Sequence, residues 1–412
     1  MKPLLTPSLF NCLRRNNPAA CGEGADVARE QWLAFAAQNP NATPGQLLER
    51  AIREDHAAVV LGIMQNTQID PNQPCDPHRY DSVSPLMTAL RAGSVGSVAL
   101  IAGQPRFELA RSLPDYERWS WVRSSSLELL RLYLDIPGSD VNQRDGNDKT
   151  LLHEVVYDLG SQEKLQELIS WPGIALDARQ VDGTTPLYRA GLTGNISAFE
   201  LLLEHGADVN IRNNDNHWTI LICAVAENRI AIAERLLRRR ELEINAADEI
   251  QNTALHIAAE RGHTRMVELL LQHPGVQINL KNHLGWTPLS KAAFAGCIDV
   301  VRLLLGRPEL EVNFVDQDRQ TPLFHAVSVG NLEVVRLLLA DPRTNAAISS
   351  RPGHHPASDM AVTRGFRPIV DLLGQHGRGT DELSSGDSYV ERDPPATGIK
   401  SNAQMNNLKG AN

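Results

Sequence analysis

Aromatic residues are scarce in this chain, and cysteines are few. Phe, Trp and Tyr make up 5% of the 412 residues, so a hydrophobic core must be built mainly from Leu, Ile, Val and Ala. The five cysteines are scattered and form no CxxC or Cys/His cluster. That pattern argues against a disulfide framework and a zinc finger, and it favours a reducing compartment.

Long apolar runs and a basic excess are lacking as well. The longest apolar run, residues 57–64, is far shorter than the roughly 18 residues that a membrane span needs. Prolines and polar residues interrupt the N-terminal sequence, which disfavours a secretory signal. The net charge of −9 argues against a general nucleic-acid binder. We therefore expect no membrane and no nucleic-acid partner, and a cytoplasmic location with a nuclear one as the alternative.

The sequence does contain an internal repeat of about 34 residues. Each copy begins with a tetrapeptide related to Thr-Pro-Leu-His. In most copies a glycine follows nine residues later, and then a leucine triplet and an asparagine. The repeat threonines are Thr150, Thr185, Thr219, Thr253, Thr287 and Thr321, and the regularly spaced glycines are Gly194, Gly262, Gly296 and Gly330.

Each part of the repeat has a physical reason. A threonine caps a first helix by accepting a hydrogen bond from a free backbone N–H, and a proline in the first turn has no N–H to lose. The glycine ends that helix, most easily in a left-handed conformation. Apolar residues at helical spacing, as in 264–271, predict a second helix. The Asn-rich stretch that follows, such as 206–216, predicts a turn.

This pattern resembles the ankyrin repeat, and the longer links at 273–275 and 307–309 are similar in style to fungal arrays. The resemblance covers residues 141–373 and implies an all-α solenoid of stacked helix-turn-helix units with β-hairpin-like fingers. It implies that partner proteins dock on a concave face of fingers and first helices. It also implies that His153 and His256 hydrogen-bond the threonines of their own repeats, Thr150 and Thr253. We expect a monomer.

Four regions are predicted along the chain. Residues 1–45 form a partly helical cap, with a helix around 25–37, and residues 46–140 hold degenerate repeats. A first unit at 46–72 is suggested because 51–65 resemble the second half of a repeat. Residues 141–377 hold regular repeats that end in a cap unit, and the polar tail 378–412 is predicted to be disordered. Seven units are clear, and nine is the upper limit.

The resemblance also points to positions that vary between ankyrin repeats, in the fingers and near the ends of first helices. In this chain they form an apolar strip with a mainly charged rim, which predicts a protein-binding hot spot. The alternative is that the tryptophans and Phe294 pack at the repeat junctions. The strip is Trp218, Ile250, Leu284, Trp286, Phe294 and Val329, and the rim is Glu227, Glu249, Glu260, Arg261, Asp318 and Gln320.

Two further features have two interpretations each. The aromatic cluster Tyr116, Trp119 and Trp121 lies where the repeat phase is lost. We favour a packing role for it, with a docking surface as the alternative. The basic run 235–240 falls at the end of a predicted second helix, where positive charge suits the helix dipole. A nuclear-import signal is the alternative.

No motif for catalysis, a cofactor or a metal is recognisable. His153-Glu154 begins like a zinc-binding HExxH, but Tyr157 replaces the second histidine. The leading hypothesis is a non-catalytic scaffold or adaptor that binds one or more proteins. The alternative is an enzyme, or a regulatory subunit of one, with its site in the irregular region 73–126. A third possibility is an accessory module of a ubiquitin ligase, but neither end shows an F-box or SOCS-box pattern.

Overall fold

The fold is a stack of short helices joined by tight turns. The computed structural model describes residues 22–76, 82–104, 106–109, 113, 119–158, 162–348 and 357–381. In this part of the chain no β-strand forms, although isolated bridges join Arg212 to Thr219 and Ala247 to Thr253. The described helices are α1 (Gly22–Ala37), α2 (Pro44–Arg53), α3 (Ala57–Asn66), α4 (Pro85–Ala92), α5 (Val95–Ala102), α6 (Leu127–Leu134), α7 (Leu151–Tyr157), α8 (Gln162–Ile169), α9 (Pro186–Thr193), α10 (Ile196–Glu204), α11 (Ile220–Ala226), α12 (Ile230–Leu236), α13 (Ala254–Arg261), α14 (Thr264–Gln272), α15 (Pro288–Ala295), α16 (Ile298–Leu305), α17 (Pro322–Ser328), α18 (Leu332–Ala340), α19 (Ala357–Arg364) and α20 (Arg367–Asp381).

The repeat threonines and glycines mark the ends of the first helices, as the sequence predicts. The Thr287 hydroxyl accepts a hydrogen bond from the Ser290 backbone N–H at 3.2 Å, and Thr321 does the same for Phe324. Such caps satisfy one of the free N–H groups at a helix start. The four regularly spaced glycines have φ between 69° and 77°, so the predicted left-handed helix ends are confirmed.

Packing is between equivalent helices of neighbouring units. First helices pack on first helices, as α13, α15 and α17 do, and second helices on second helices, as α14, α16 and α18 do. Small side chains such as Ala258, Ala292 and Ala293 are fully buried, which lets the first helices approach closely. One continuous core of this kind, an all-α solenoid, runs from Ala28 to Leu373.

The array begins earlier than the sequence suggested. Thr43 caps α2 with a capping box that includes Gln46, and α1 packs against α3. Residues 51–65, which resemble the second half of a repeat in sequence, hold the end of the first helix α2, a turn and all but the last residue of the second helix α3. The proline after Thr43 is typical of the start of a first helix.

The repeat phase is lost around residues 103–126, a region of which the structure describes only part. Residues 119–124 form turns, and α6 follows in the row of second helices, in contact with α5 and α8. Trp119 and Trp121 are each 1% exposed, and both rings pack next to Tyr133. The packing interpretation is confirmed for these two tryptophans, while Tyr116 lies outside the described residues. Besides α6, the described residues hold nine helix pairs, which is the upper limit that the sequence predicts for the number of units.

The basic run and the predicted tail can be compared with the helices of the structure. The basic run 235–240 has only Arg235 in the last turn of α12, and the other arginines follow the helix. Most of the predicted tail, 378–412, lies outside the described residues, and 378–381 are the end of α20. None of the described helices combines the length and the apolar character that crossing a membrane would need.

An asparagine after each of several second helices bonds the next unit. The Asn245 amide N–H donates to Gly275 O at 2.8 Å, and its oxygen accepts from the Gln277 N–H at 2.9 Å. The same pair of bonds is made by Asn72, Asn142, Asn210, Asn279 and Asn313. These side chains therefore act as clamps between consecutive units.

We expect Asn245→Ala to lower the free energy of unfolding by about 2 kcal/mol, because two hydrogen bonds between units are lost. Asn245→Asp should cost about half as much, since a carboxylate still accepts from Gln277 but cannot donate to Gly275. Asp177 accepts a single such bond in the native chain, from the Asp208 N–H at 3.0 Å. Urea titrations would check this order, and equal losses in the two variants would contradict it.

Candidate partner-binding surface

Each finger is a tight turn with one residue in the left-handed region. In the finger before Thr253, the Gln251 N–H donates to Asp248 O at 3.0 Å, and the Asp248 N–H donates to Asn252 O at 2.9 Å. Gln251 has φ 64°, an unusual value for a residue with a side chain. The equivalent residue of all six fingers has positive φ, and these residues are Asp148, Gly183, His217, Gln251, Gly285 and Arg319.

Consecutive fingers are tied together through their backbones. The His283 N–H donates to Ile250 O at 3.0 Å, and the Gln317 N–H donates to Leu284 O at 3.1 Å. Three equivalent bonds join the earlier fingers. The tips therefore form one ordered row, in which Ile250 and Leu284 occupy equivalent positions on neighbouring fingers.

Four of the six predicted strip residues are exposed. Ile250, Leu284, Phe294 and Val329 are between 39% and 52% exposed. Ile250 and Leu284 lie at finger tips, whereas Phe294 lies in the last turn of α15 and Val329 directly follows α17. They come from three consecutive units, so the structure places apolar side chains on the fingers and helix ends of one stretch of the array.

Trp286 supports this surface from below. It is half-buried, and its ring lies 5.1 Å from the Phe294 ring and 4.2 Å from the His325 ring. The Lys291 ammonium lies 5.5 Å from the Trp286 ring centroid. These contacts hold Trp286 in one place and give the exposed Phe294 ring a rigid aromatic neighbour.

Trp218 has a different environment. It is half-buried and packs against the hydrophobic core, and its backbone N–H donates to Asn213 Oδ1 at 2.8 Å. Within the described residues no ring contact joins it to Trp286. The two tryptophans that looked equivalent in sequence therefore lie in separate environments.

A buried acid–histidine pair, which no sequence motif indicates, lies beneath the strip. His325 Nε2 is 3.0 Å from Asp316 Oδ2 without the alignment of a hydrogen bond, and both side chains are almost fully buried. Asp316 Oδ1 accepts from the Asp318 and Gln320 N–H groups at 2.9 and 2.7 Å. The pair thus connects the last finger to the aromatic contact of Trp286.

The residues of the predicted rim differ in their exposure and in their contacts. Glu227 and Glu249 are exposed, but Glu260 forms an ion pair with Lys291 at 3.1 Å. Arg261 donates to Ala226 O at 2.6 Å, so it also joins two units. The remaining two rim residues belong to the finger of the Asp316 turn, where Asp318 is exposed and Gln320 is half-buried.

The two histidines in the Thr-x-x-His positions are structural, and the expected bonds to threonine are confirmed. Nδ1 of His256 is 2.9 Å from the Thr253 hydroxyl and accepts from the Thr253 N–H at 3.2 Å. Because Nδ1 accepts, Nε2 carries the proton and donates to Trp286 O at 3.0 Å. His153 makes the equivalent contacts to Thr150 and Thr184. Burial lowers the pKa of each histidine to about 4.

The described part of region 73–126 offers little for catalysis. Burial raises the pKa of the Cys75 thiol to about 12, which keeps it protonated and a poor nucleophile. The two described grooves lie elsewhere, one of about 580 Å³ around Arg212 and residues 242–247, and one of about 280 Å³ between α6 and α8. No group of three metal-ligating side chains occurs among the described residues.

Several known proteins share parts of this sequence. SMC5-SMC6 complex localization factor protein 1 of Bos taurus is 41% identical over 139 residues, which are 34% of this chain and 12% of that protein. The nuclear factor NF-kappa-B p105 subunit of Gallus gallus is 26% identical over 131 residues, 31% of this chain and 13% of that protein. Ankyrin repeat domain-containing protein 13B of Mus musculus is 31% identical over 110 residues, which are 26% of this chain and 17% of that protein. The matched segments thus span less than a fifth of each relative.

Matches to a family of repeats cover most of the regular array. Residues 121–213, 152–248 and 221–316 each match the description "Ankyrin repeats (3 copies)", and residues 318–348 match a single ankyrin repeat. Together they include more than half of the chain, and they coincide with the helix pairs and fingers described above. The chain therefore belongs to the ankyrin-repeat family, whose arrays mediate protein–protein interactions.

Proposed function

We propose that this chain is a non-catalytic scaffold or adaptor that binds one or more partner proteins on the concave face formed by fingers and first helices. The observation that carries the proposal is the exposure of Ile250, Leu284, Phe294 and Val329 on three consecutive units. A patch of large apolar side chains that stays exposed in a folded protein usually serves binding.

Phe294 is the proposed centre of the surface. Its neighbour Trp286 is already fixed by His325 and Lys291, so little side-chain freedom is lost when a partner covers the ring. Preorganised aromatic anchors of this kind contribute most of the affinity in many interfaces. Trp218, which packs against the core, lies at the margin of the proposed surface.

The relatives support a recruiting role. One of them is by name a localization factor of a complex, and recruitment needs a binding surface but no catalysis. We propose that the chain acts as a monomer in the cytoplasm, with a nuclear location as the alternative. The described part of region 73–126 supplies no observation that favours the alternative of an enzyme.

We expect the double variant Ile250→Asp/Phe294→Asp to lose its partner. Both side chains are exposed, so the melting temperature should change little, whereas a buried charge at the centre of an interface should raise Kd by roughly thirtyfold or more. Leu33→Asp is the matched control, because Leu33 is 54% exposed and lies in α1, at the other end of the array from the strip.

The measurement has two steps. Affinity capture with wild type, the double variant and the control identifies proteins that only the double variant loses. Binding of the purified candidate is then measured by calorimetry with all three proteins. Equal affinity of wild type and double variant for every captured protein would overturn the proposal.

A further inference from the structure

A row of basic side chains runs along the fingers, and the proposed function does not use it. Arg144 donates to Arg179 O at 2.8 Å, Arg179 to Arg212 O at 2.9 Å, and Arg212 to Ala247 O at 2.9 Å. All three arginines are exposed. Because each side chain reaches the backbone of the next residue in the row, the guanidinium groups repeat at the spacing of the units.

The stack does not need these arginines to hold its fingers together. Ala247 occupies the equivalent position in the next finger, and no side chain can brace that junction from there. The backbone bond between those two fingers, from the His283 N–H to Ile250 O, nevertheless forms at 3.0 Å. The positive charge of the row is therefore more than the stacking requires.

Most of this charge is not neutralised within the fold. Asp148 Oδ1 lies 3.7 Å from Arg144, and Glu243 lines the same groove as Arg212. Arg179 also donates to Asn214 Oδ1, a neutral acceptor, at 2.7 Å. Among the described residues, no carboxylate lies within 4 Å of Arg179 or Arg212. A guanidinium has five N–H donors, so each arginine keeps donors for a ligand.

We propose that Arg144, Arg179 and Arg212 form a docking row for an extended, acidic protein segment. Stacked units are about 10 Å apart, and an extended chain advances about 10 Å in three residues. Carboxylates at every third position of such a segment would therefore meet successive guanidinium groups, each suited to a carboxylate. An Asp/Glu-rich segment is the occupant that this chemistry fits.

The row shares no residue with the apolar strip. The groove that contains Arg212 is lined by residues 242–247, Gln251, His273 and Gly275, and none of these belongs to the strip. The two surfaces can therefore be tested independently, and loss of one should leave the other intact.

The test is fluorescence anisotropy with a labelled peptide that carries Asp at every third position. We expect wild type to bind it, with an affinity that falls as salt is added. Arg144→Gln/Arg179→Gln/Arg212→Gln should weaken binding at least about tenfold, since three ion pairs are lost. Glutamine still offers an N–H to the backbone carbonyls, so the fold should be retained, which circular dichroism would verify.

Arg265→Gln/Arg302→Gln/Arg336→Gln is the matched control. These exposed arginines lie on the second helices α14, α16 and α18, and their replacement changes the net charge by the same amount. It should leave the affinity within about twofold, as expected for charges beyond the Debye length. Equal weakening of peptide binding in both triple variants would show that only net charge matters, and it would overturn the proposal of a docking row.

Two further arms define the partner. A peptide of the same composition with its Asp residues adjacent should bind several-fold more weakly. Equal affinity of the two peptides would overturn the proposed match between every third carboxylate and successive guanidinium groups. Binding of single-stranded RNA or of anionic phosphatidylserine vesicles in preference to the acidic peptide would overturn the assignment of a protein segment. The Ile250→Asp/Phe294→Asp variant should bind the peptide as wild type does, so failure of the strip would not affect this result.

Discussion

Lowering the pH from 6.5 to 4 is expected to remove several kcal/mol from the stability of the array, and His153 and His256 are the cause. Burial lowers the pKa of both imidazoles to about 4, whereas an unfolded histidine titrates near 6.5. Between these values the unfolded chain binds protons that the folded chain does not. The free energy of unfolding therefore falls as the pH falls, and it is unaffected by these groups above about pH 7.

The size of the effect follows from the shift. A difference of about 2.5 pKa units corresponds to at most about 3 kcal/mol for each histidine. Protonation would also replace the acceptor Nδ1 by a donor that faces the Thr253 N–H, so the cap of the first helix would be lost. The two sites lie three units apart and are expected to add approximately.

The measurement is a series of urea titrations followed by circular dichroism at several pH values between 7 and 4.5. In His153→Ser/His256→Ser the slope of stability against pH should flatten, although stability at pH 7 decreases. Serine is a suitable replacement because Ser290 occupies the equivalent position and caps with Thr287. His205→Ser, at an exposed position, should keep the wild-type slope. An unchanged slope in the double variant would refute the assignment.

The fold could be predicted where its determinants are local. A threonine cap and a left-handed glycine are fixed within one short helix, so their spacing alone placed α7 to α18. The turns of the fingers were predicted, but their left-handed position was not, because four of its six residues carry side chains, such as Asp148 and Gln251, rather than being glycine. Their regularity becomes visible only when the fingers are superimposed.

The candidate site could be predicted only in part, because exposure depends on residues far away in sequence. Trp218 and Trp286 both directly precede a repeat threonine, but the neighbours of Trp286 include His325 of the next unit. That histidine is buried against Asp316, a contact that no spacing rule indicated. Likewise, the arginine row depends on bonds between units about 34 residues apart.

Trp119→Ala is expected to lower the free energy of unfolding by about 3 to 5 kcal/mol, the usual cost of removing a buried tryptophan. Trp119 is 1% exposed and donates from Nε1 to Lys149 O at 2.9 Å. Its ring also packs edge-on against Tyr133. Removing the ring therefore leaves a cavity in the core between units.

The variant should also change how the array unfolds. Each unit of a solenoid contacts only its neighbours, so weakening this one unit should separate the units before it from those after it. We expect a second transition in urea and faster hydrogen exchange in α4 and α5 than in α13 to α16. Trp119→Phe should lose only the hydrogen bond and part of the volume and cost about 1 to 2 kcal/mol.

Trp171→Ala is the matched control. Trp171 is half-buried just after α8, so its replacement should lower the free energy of unfolding by less than Trp119→Ala does. If Trp119→Ala unfolds in one transition and loses less than about 1 kcal/mol of unfolding free energy, Trp119 is not what joins the two parts of the array. The turns 119–124 would then transmit stacking by their backbone alone. The expected result instead places the joint on the rings of Trp119 and Trp121, which belong to the one core that runs through the described units on both sides.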